Sequence, residues 1–350
     1  MNAANNQIRG QNMRALEVAE PWGVDALKLV EKPEPTPGPG QVLVRMRAVS
    51  LNYRDLLMVG GIYGRGPTQG GTITPFSDGC GVVEAVGAGV SRVAVGDRVA
   101  TLFFQNWTSG RPTLEKLSSA LGFPIPGAGS ELQVFSQEGV SKVPDFLSDQ
   151  QVATLPCAAL TAWRGLFEDA RLEPGDTVVL QGTGGVSIFG LQFAKAAGYR
   201  TVITSSSDEK LQRAKALGAD HLVNYKTTPD WSGPVREATG GVGADFVMEV
   251  GGGGTIQQSL RAVRIGGHIA IIGVVTGAGE GFNPAVLIGN SARVQGLSVG
   301  SRDMFEAMCR AIALHRIQPV VDKVFPFEEA GAAFEAMRNG EHFGKIVLQF

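Results

Sequence analysis

The pattern of apolar and polar positions divides the chain into three stretches. From Met13 short alternating runs, MRALEVA, ALKLVEKP and QVLVRMRAVSLN, are parted by turn clusters such as Pro33 to Gly40. Period-two alternation between turn signals predicts strands. GVVEAVGAGV and GDRVATLFF extend the series, and ELQVFS and GVSKVP add two more strands, so the first third predicts a small antiparallel barrel or sandwich. The glycine-rich loop 60–71 and the polar stretch 101–129 interrupt it, the latter with a short helix possible over Thr113 to Leu121.

At Ser148 the period changes. Ser148 and Gln151 fit a capping box ahead of a helix, QVATLPCAALTAWRGLFEDA, in which Pro156 should kink the helix or mark its true start. From Thr177 to about Val275 the runs TVVLQ, TVITS, HLVNY, FVMEV and HIAIIGVV alternate with helical patterns, which predicts a parallel, doubly wound sheet. A strand (ARVQGLSV), helices over Asp303 to His315 and Phe327 to Arg338, and a last strand from Lys345 to Phe350 complete the chain. The expected architecture is a β-rich domain with a nucleotide domain inserted before its C-terminal end.

Candidate chemistry centres on Asp176 to Gly198. The strand Thr177 to Gln181 enters the turn Gly182-Thr183-Gly184-Gly185-Val186-Ser187, and an amphipathic helix follows. Such a turn lets the backbone approach a pyrophosphate, whose charge meets unpaired N–H groups and the positive end of the helix dipole. Ser187 stands at the third glycine, small enough for close helix packing but a departure. In a site for NAD, an acid near the end of the second strand holds the ribose hydroxyls. Here that strand ends in Ser205-Ser206-Ser207, followed by Asp208-Glu209-Lys210, hydroxyls and a lysine suited to a 2′-phosphate, so NADPH is expected over NADH. Two other readings stay open: the serines as a plain helix cap with Lys210 a surface residue, and Asp208 serving NAD if the register slips.

Composition narrows the partners. At 350 residues, 43% hydrophobic and 18% charged with a formal charge of -2, the chain gives no electrostatic reason to expect nucleic acid or an anionic membrane. Its apolar runs fall far short of the ~20 residues that span a bilayer. The polar, Asn-rich start, read as a loose extension over 1–12, lacks the pattern of a secretory signal. Three cysteines without a CxxC pair argue against a disulfide framework, and a cytoplasmic location is the default.

With these elements in hand, the chain resembles the medium-chain dehydrogenase/reductase superfamily, most specifically in SLNYRD (50–55), GVVEAVGAGVSRVAVGDRV (81–99), LPCAALTAW (155–163), QGTGGVSIFGLQFAKAAG (181–198), SSSDEKLQRAKALGADHLVNY (205–225) and FGKIVL (343–348). The resemblance implies an α/β fold: a GroES-like β-rich catalytic domain (13–147 and 288–350) plus a Rossmann doubly wound parallel-sheet domain (148–287), with the substrate in the cleft between them and a homodimer as the assembly. Zinc members of the superfamily bind the catalytic metal through a cysteine, a histidine and a second cysteine or an acid. This chain has Asn52, Ser77 and Cys157 there, so no metal is expected. It resembles the zinc-free branch that holds quinone oxidoreductases and enone reductases.

Without a metal to stabilise charge on a carbonyl oxygen, conjugated acceptors are favoured. The expected reaction is hydride transfer from NADPH to a quinone or an α,β-unsaturated carbonyl. A metal-free alcohol or aldehyde dehydrogenase, or an NADPH-binding protein without turnover, are the alternatives. The resemblance places Asn52 opposite the nicotinamide, Tyr63 on the substrate side, and Tyr53 and Arg54 beside the site. Its cofactor contacts carry over to Gly182, Gly184, Gly185 and Val186 at the phosphates, and to Ser205, Ser206, Lys210 and Tyr225 around the adenosine phosphate. Gly251 carries over as the cofactor contact that follows the fourth strand, Gly273 and Val274 as the nicotinamide-facing turn, Thr161 as approaching the ring, and Lys345 at the pyrophosphate. Ordinary structural explanations also stand for Asn52 (a turn), Tyr63 (a loop anchor) and Lys345 (a surface strand residue).

Overall fold

The computed structural model describes residues 12–62, 71–279 and 281–350. Tyr63 and all but the last residue of the expected N-terminal extension lie outside them. The chain forms two compact units, one running through Ala153 and taking back 324–339 and 347–350, the other comprising 154–323 and 340–346. Among the described residues, no helix is long and apolar enough to cross a membrane.

In the first unit the alternating runs become strands. β1 (Asn12–Glu17) and β2 (Lys28–Pro33) pair antiparallel. β3 (Gln41–Ser50), β4 (Asp78–Val86), β5 (Arg98–Thr101), β6 (Leu132–Ser136) and β7 (Val140–Lys142) build a larger sheet around β3, which takes β4 on one edge and β6 and Val347–Gln349 of the last strand on the other. β3 carries buried Val42, Val44, Met46 and Ala48. Gly81 is required where β3 and β4 close up, since a Cβ there would stand 2.4 Å from the Arg45 carbonyl oxygen. α1 (Tyr53–Val59) follows β3, α2 (Leu114–Leu117) is the short helix of the polar stretch, and α3 (Asp149–Ala153) closes the segment.

The long helix expected after Ser148 is broken. α3 stops at Ala153, a π-helical turn with Pro156 near its start covers Leu155–Ala159, and α4 (Leu160–Trp163) runs into a second π turn. Proline removes one ladder hydrogen bond and clashes with the preceding turn, which the wider π turn accommodates.

The second unit holds a sheet of β8 (Thr177–Gln181), β9 (Arg200–Ser205), β10 (His221–Asn224), β11 (Ala244–Glu249), β12 (Val263–Ile271) and β13 (Arg293–Gly296). All pairs are parallel, in the order β10-β9-β8-β11-β12-β13. This is the doubly wound order, whose direction reverses between β8 and β11. Every residue of β8 is buried, as expected of a strand covered on both faces. The connections carry α5 (Gly185–Ala196), α6 (Asp208–Ala216), α7 (Ser232–Ala238), α8 (Ile256–Ala262) and α9 (Ala285–Asn290). α10 (Arg302–His315) follows β13, and α11 (Ala330–Arg338) lies in the first unit. β14 (Val321–Pro326) and β15 (Lys345–Gln349) end the chain.

Residues 288–323, placed with the β-rich domain from the sequence, belong to the second unit. The reason is β13, which adds to β12 in parallel from His268↔Arg293 to Ile271↔Gly296 as a sixth strand of the nucleotide sheet. α9 and β14 were not foreseen; each is a short run without the length that makes a period visible.

Candidate active site

The glycine turn of the second unit has an open backbone. Gly182 sits at φ +74°, a left-handed conformation that L side chains rarely adopt. Gly184 is the extended N-cap of α5, with no side-chain cap, so the first amides of a twelve-residue helix are not taken by a capping side chain. Ser187, which replaces the third glycine, is buried, and its hydroxyl donates to the Gln181 carbonyl at 2.6 Å. The departure from the glycine pattern therefore ties the helix back to β8. The Gly344 amide donates to the Thr183 carbonyl at 2.9 Å. Lys345, only 3% exposed, passes over Gly185, where a Cβ would meet its Cδ at 2.5 Å. Val186 is half-buried in the first turn of α5. Thus Gly182, Gly184, Gly185, Val186 and Lys345 do come together.

At the end of β9 the serines divide their work. Ser207 caps α6, accepting from the Lys210 amide at 3.3 Å, and the Ser205 hydroxyl accepts from the Ser207 amide at 3.2 Å. To that extent the helix-cap reading holds. Ser206 remains half-buried beside them. The Tyr225 amide donates to the Ser205 carbonyl at 3.0 Å, which brings the exposed Tyr225 to the same edge. The Lys210 ammonium donates to the Gly340 carbonyl at 2.7 Å, and burial lowers its pKa from the ordinary lysine value. Burial also pushes the half-buried His342 down to about 4, helped by the charges of Lys210 and Lys345.

The turns after β11 and β12 interlock. Thr276 donates to the Gly251 carbonyl through both its amide and its hydroxyl, each at 2.8 Å. A Cβ on Gly251 would lie 2.2 Å from Thr255 Oγ1, and one on Gly273 would lie 2.7 Å from the Val250 carbonyl oxygen. Val274 is exposed, and Thr161 is buried in α4. Behind these turns stands a group that the sequence reading missed. Glu249, fully buried, accepts from Gly251 N (2.8 Å), Gly252 N (2.9 Å), Thr255 Oγ1 (2.5 Å), Gln181 Nε2 (2.7 Å) and Ser259 Oγ. The available signal was a single amide and a single acid closing the apolar strands TVVLQ and FVMEV.

In the first unit Asn52 is the N-cap of α1, 8% exposed, and its amide donates to Asp55 Oδ2 at 2.8 Å. Its side-chain Nδ2 donates to Ser77 Oγ at 3.4 Å, and the Ser77 hydroxyl donates to Asp78 Oδ1 at 2.9 Å. Because a carboxylate only accepts, the serine proton is committed to Asp78 and the serine oxygen accepts from Asn52. Asn52 thus presents its Nδ2 to Ser77, with Oδ1 on the other side of the amide. Arg54 serves the scaffold: it donates to the carbonyls of Leu121 (2.8 Å) and Phe123 (3.4 Å) and lies 4.6 Å over the Phe103 ring. Tyr53 is exposed at the start of α1.

The donor set does not fit a catalytic zinc. Asn52 and Ser77 stand at the first two ligand positions that the superfamily resemblance gives, and a carboxamide and a neutral hydroxyl are not the thiolate, imidazole or carboxylate that bind zinc. Among the described residues no group of three or more His, Cys, Asp or Glu side chains could hold a metal ion.

A strand-rich unit joined to a six-stranded doubly wound unit with a glycine phosphate turn defines a class of two-domain, dinucleotide-linked oxidoreductases, and comparison with known proteins agrees. Residues 38–145 match the alcohol dehydrogenase GroES-like domain, and residues 185–313 match the zinc-binding dehydrogenase family. A zinc-type alcohol dehydrogenase-like protein of Schizosaccharomyces pombe is 44% identical over 93% of this chain and 96% of its own length. The solved structure of an NAD-dependent alcohol dehydrogenase is 34% identical, with a TM-score of 0.88 over 97% of this chain and 100% of the other. The quinone oxidoreductase of Pseudomonas syringae is 27% identical, with a TM-score of 0.83 over 97% of this chain and 100% of the other. The chain belongs to the medium-chain dehydrogenase/reductase superfamily of oxidoreductases.

Proposed function

We propose that the protein transfers hydride from NADPH to a quinone or an α,β-unsaturated carbonyl without a metal. The observation that carries this reading is a carboxamide, Asn52, beside a hydroxyl, Ser77, whose proton is held by Asp78, at the positions where the superfamily resemblance gives the first two zinc ligands. With no Lewis acid at that place, hydride addition is easiest where the arriving electron pair delocalises over a conjugated acceptor, and a hydrogen-bond donor then suffices for the developing charge. Asn52 is the proposed donor, through the Nδ2 hydrogen that is not directed at Ser77. Tyr53 and Tyr63 are proposed to flank the acceptor, while Arg54 holds the loop beyond Leu121 and takes no proton.

On the cofactor side, the amides of Gly184 to Val186 and the Lys345 ammonium would meet the pyrophosphate. Ser206, Lys210 and Tyr225 would take the 2′-phosphate, for which Lys210 exchanges its present partner, the Gly340 carbonyl. Thr161, Gly251, Gly273 and Val274 would face the nicotinamide. Superfamily membership is the basis for proposing a homodimer, and a cytoplasmic location belongs to the same reading.

The test is NADPH oxidation, followed by absorbance, against a panel of quinones and enones, with NADH and a chelator as controls. Turnover that prefers NADPH and ignores chelator is expected. The name of the S. pombe relative favours a second reading, an alcohol dehydrogenase. Alcohol-dependent reduction of NAD(P)⁺ in the absence of enone turnover would establish it instead.

A further inference from the structure

The strand order of the nucleotide sheet reverses between β8 and β11, and in such sheets ligands bind at the carboxyl ends of the strands flanking the reversal. The last residues of those two strands are Gln181 and Glu249, both buried and bonded to each other at 2.7 Å. Gln181 immediately precedes the Gly182 turn. Glu249 immediately precedes the turn through Gly251 and Gly252.

Between them the two side chains hold three successive main-chain amides. Gln181 Oε1 accepts from Val250 N (3.1 Å) and Gly251 N (3.2 Å), while Glu249 Oε1 accepts from Gly251 N (2.8 Å) and Gly252 N (2.9 Å). Main-chain N–H groups can only donate, so Gln181 must point its oxygen at them and its NH₂ at Glu249. Ser259 Oγ accepts from Gln181 Nε2 at 2.9 Å and donates to Glu249 Oε2. Every contact of the carboxylate is thus with a donor, which is what permits a carboxylate in a fully buried position. The arrangement fixes the position of one turn relative to the other before any ligand arrives.

We propose that Gln181 and Glu249 are positioning residues for the dinucleotide: their directional hydrogen bonds preset the spacing of the Gly182 and Gly251 turns, and so set cofactor affinity. The inference rests on the dinucleotide reading of those turns given above. Preorganisation of this kind raises affinity by removing the cost of ordering the turns on binding.

The polarity of the pair supplies the experiment. Glu249→Gln turns an NH₂ toward the NH₂ of Gln181, donor against donor. The double variant Q181E/E249Q restores every bond with its direction reversed between the two side chains. In it the carboxylate stands at the end of β8 and accepts the Val250 and Gly251 amides. The carboxamide stands at the end of β11, accepts from Gly251 and Gly252 and donates to that carboxylate, and Ser259 reverses its role.

Calorimetric titration with NADPH is expected to show E249Q weakened about tenfold, the effect of leaving one buried polar group unsatisfied. The exchange variant should return to within about threefold of the wild type. In steady state the E249Q defect should appear in KM for NADPH, with kcat at saturation retained. Wild-type affinity in E249Q, or a folded exchange variant that stays as weak as E249Q, overturns the proposal. Should E249Q not fold, Thr255→Val, which removes one donor to Oε1, is expected to weaken binding by about threefold; unchanged affinity there overturns the proposal equally. A wild-type protein that binds neither NADPH nor NADH overturns the dinucleotide reading, and this inference with it.

Discussion

On the proposed reading the two units prepare for ligand in opposite ways. In the second, the groups proposed to meet it are main-chain amides at a glycine turn, with side chains such as Ser187, Gln181 and Glu249 behind as braces. In the first, the proposed group is a side chain, Asn52, whose neighbour Ser77 is bonded to Asp78. A main-chain site depends on where glycine is allowed, so it is sensitive to a side chain at Gly182, where φ is positive, and to the loss of the braces behind it. A side-chain site depends instead on the one group that it offers. The comparison teaches that cofactor binding and turnover should be separable by mutation.

The largest effect is expected at Gly182. A valine there must adopt φ +74°, a conformation carrying about 1–3 kcal/mol of strain for such a residue. Gly182→Val should therefore lower stability by about that amount, and NADPH affinity should fall by about tenfold or more as the turn relaxes. Denaturant titration and calorimetry read both. Full affinity in a folded variant would remove the Gly182 turn from the cofactor site.

Next is Lys210→Ala. Loss of a charge-assisted bond from this half-exposed lysine to the 2′-phosphate, about 1.5 kcal/mol, should weaken NADPH by about tenfold and leave NADH unchanged. An equal loss for both cofactors would instead show that Lys210 matters through the Gly340 carbonyl that it now holds. Asn52→Ala should separate the two halves: kcat is expected to fall about tenfold or more with KM for NADPH unaltered, as for an interaction that strengthens in the transition state.

What the sequence alone makes legible follows the same division. The glycine turn, the parallel strands β8 to β12 and the serine-rich end of β9 are local patterns of sequence, and each appears where its period or its turn chemistry placed it. The braces were not legible. Gln181 and Glu249 are 68 residues apart and meet only because the strand order brings β8 beside β11. Arg54 lies close to Asn52 in the chain, yet it is spent on carbonyls 67 and 69 residues away, which nothing in SLNYRD reveals. The boundary near residue 288 failed because β13 is a four-residue strand, and short edge strands carry too few positions to say which sheet they join.

The smallest effect should come from Ser77→Ala, and its size sharpens the comparison most. Ser77 is fully buried, so its removal leaves the Asp78 carboxylate without the 2.9 Å hydroxyl donor and opens a small gap; about 1–2 kcal/mol of stability should go. Its bond to Asn52, at 3.4 Å, is beyond the usual range and contributes little to holding the amide. Asn52 is fixed more firmly by its place as the cap of α1, with its main-chain N–H on Asp55 at 2.8 Å. The turnover number of Ser77→Ala should therefore fall by no more than about threefold, well short of the Asn52→Ala loss. Parallel denaturation and steady-state measurements on the two variants decide the matter. A collapse of kcat in Ser77→Ala equal to that of Asn52→Ala would mean that the hydroxyl itself takes part in the chemistry, and the first unit would then work through a serine rather than through an amide.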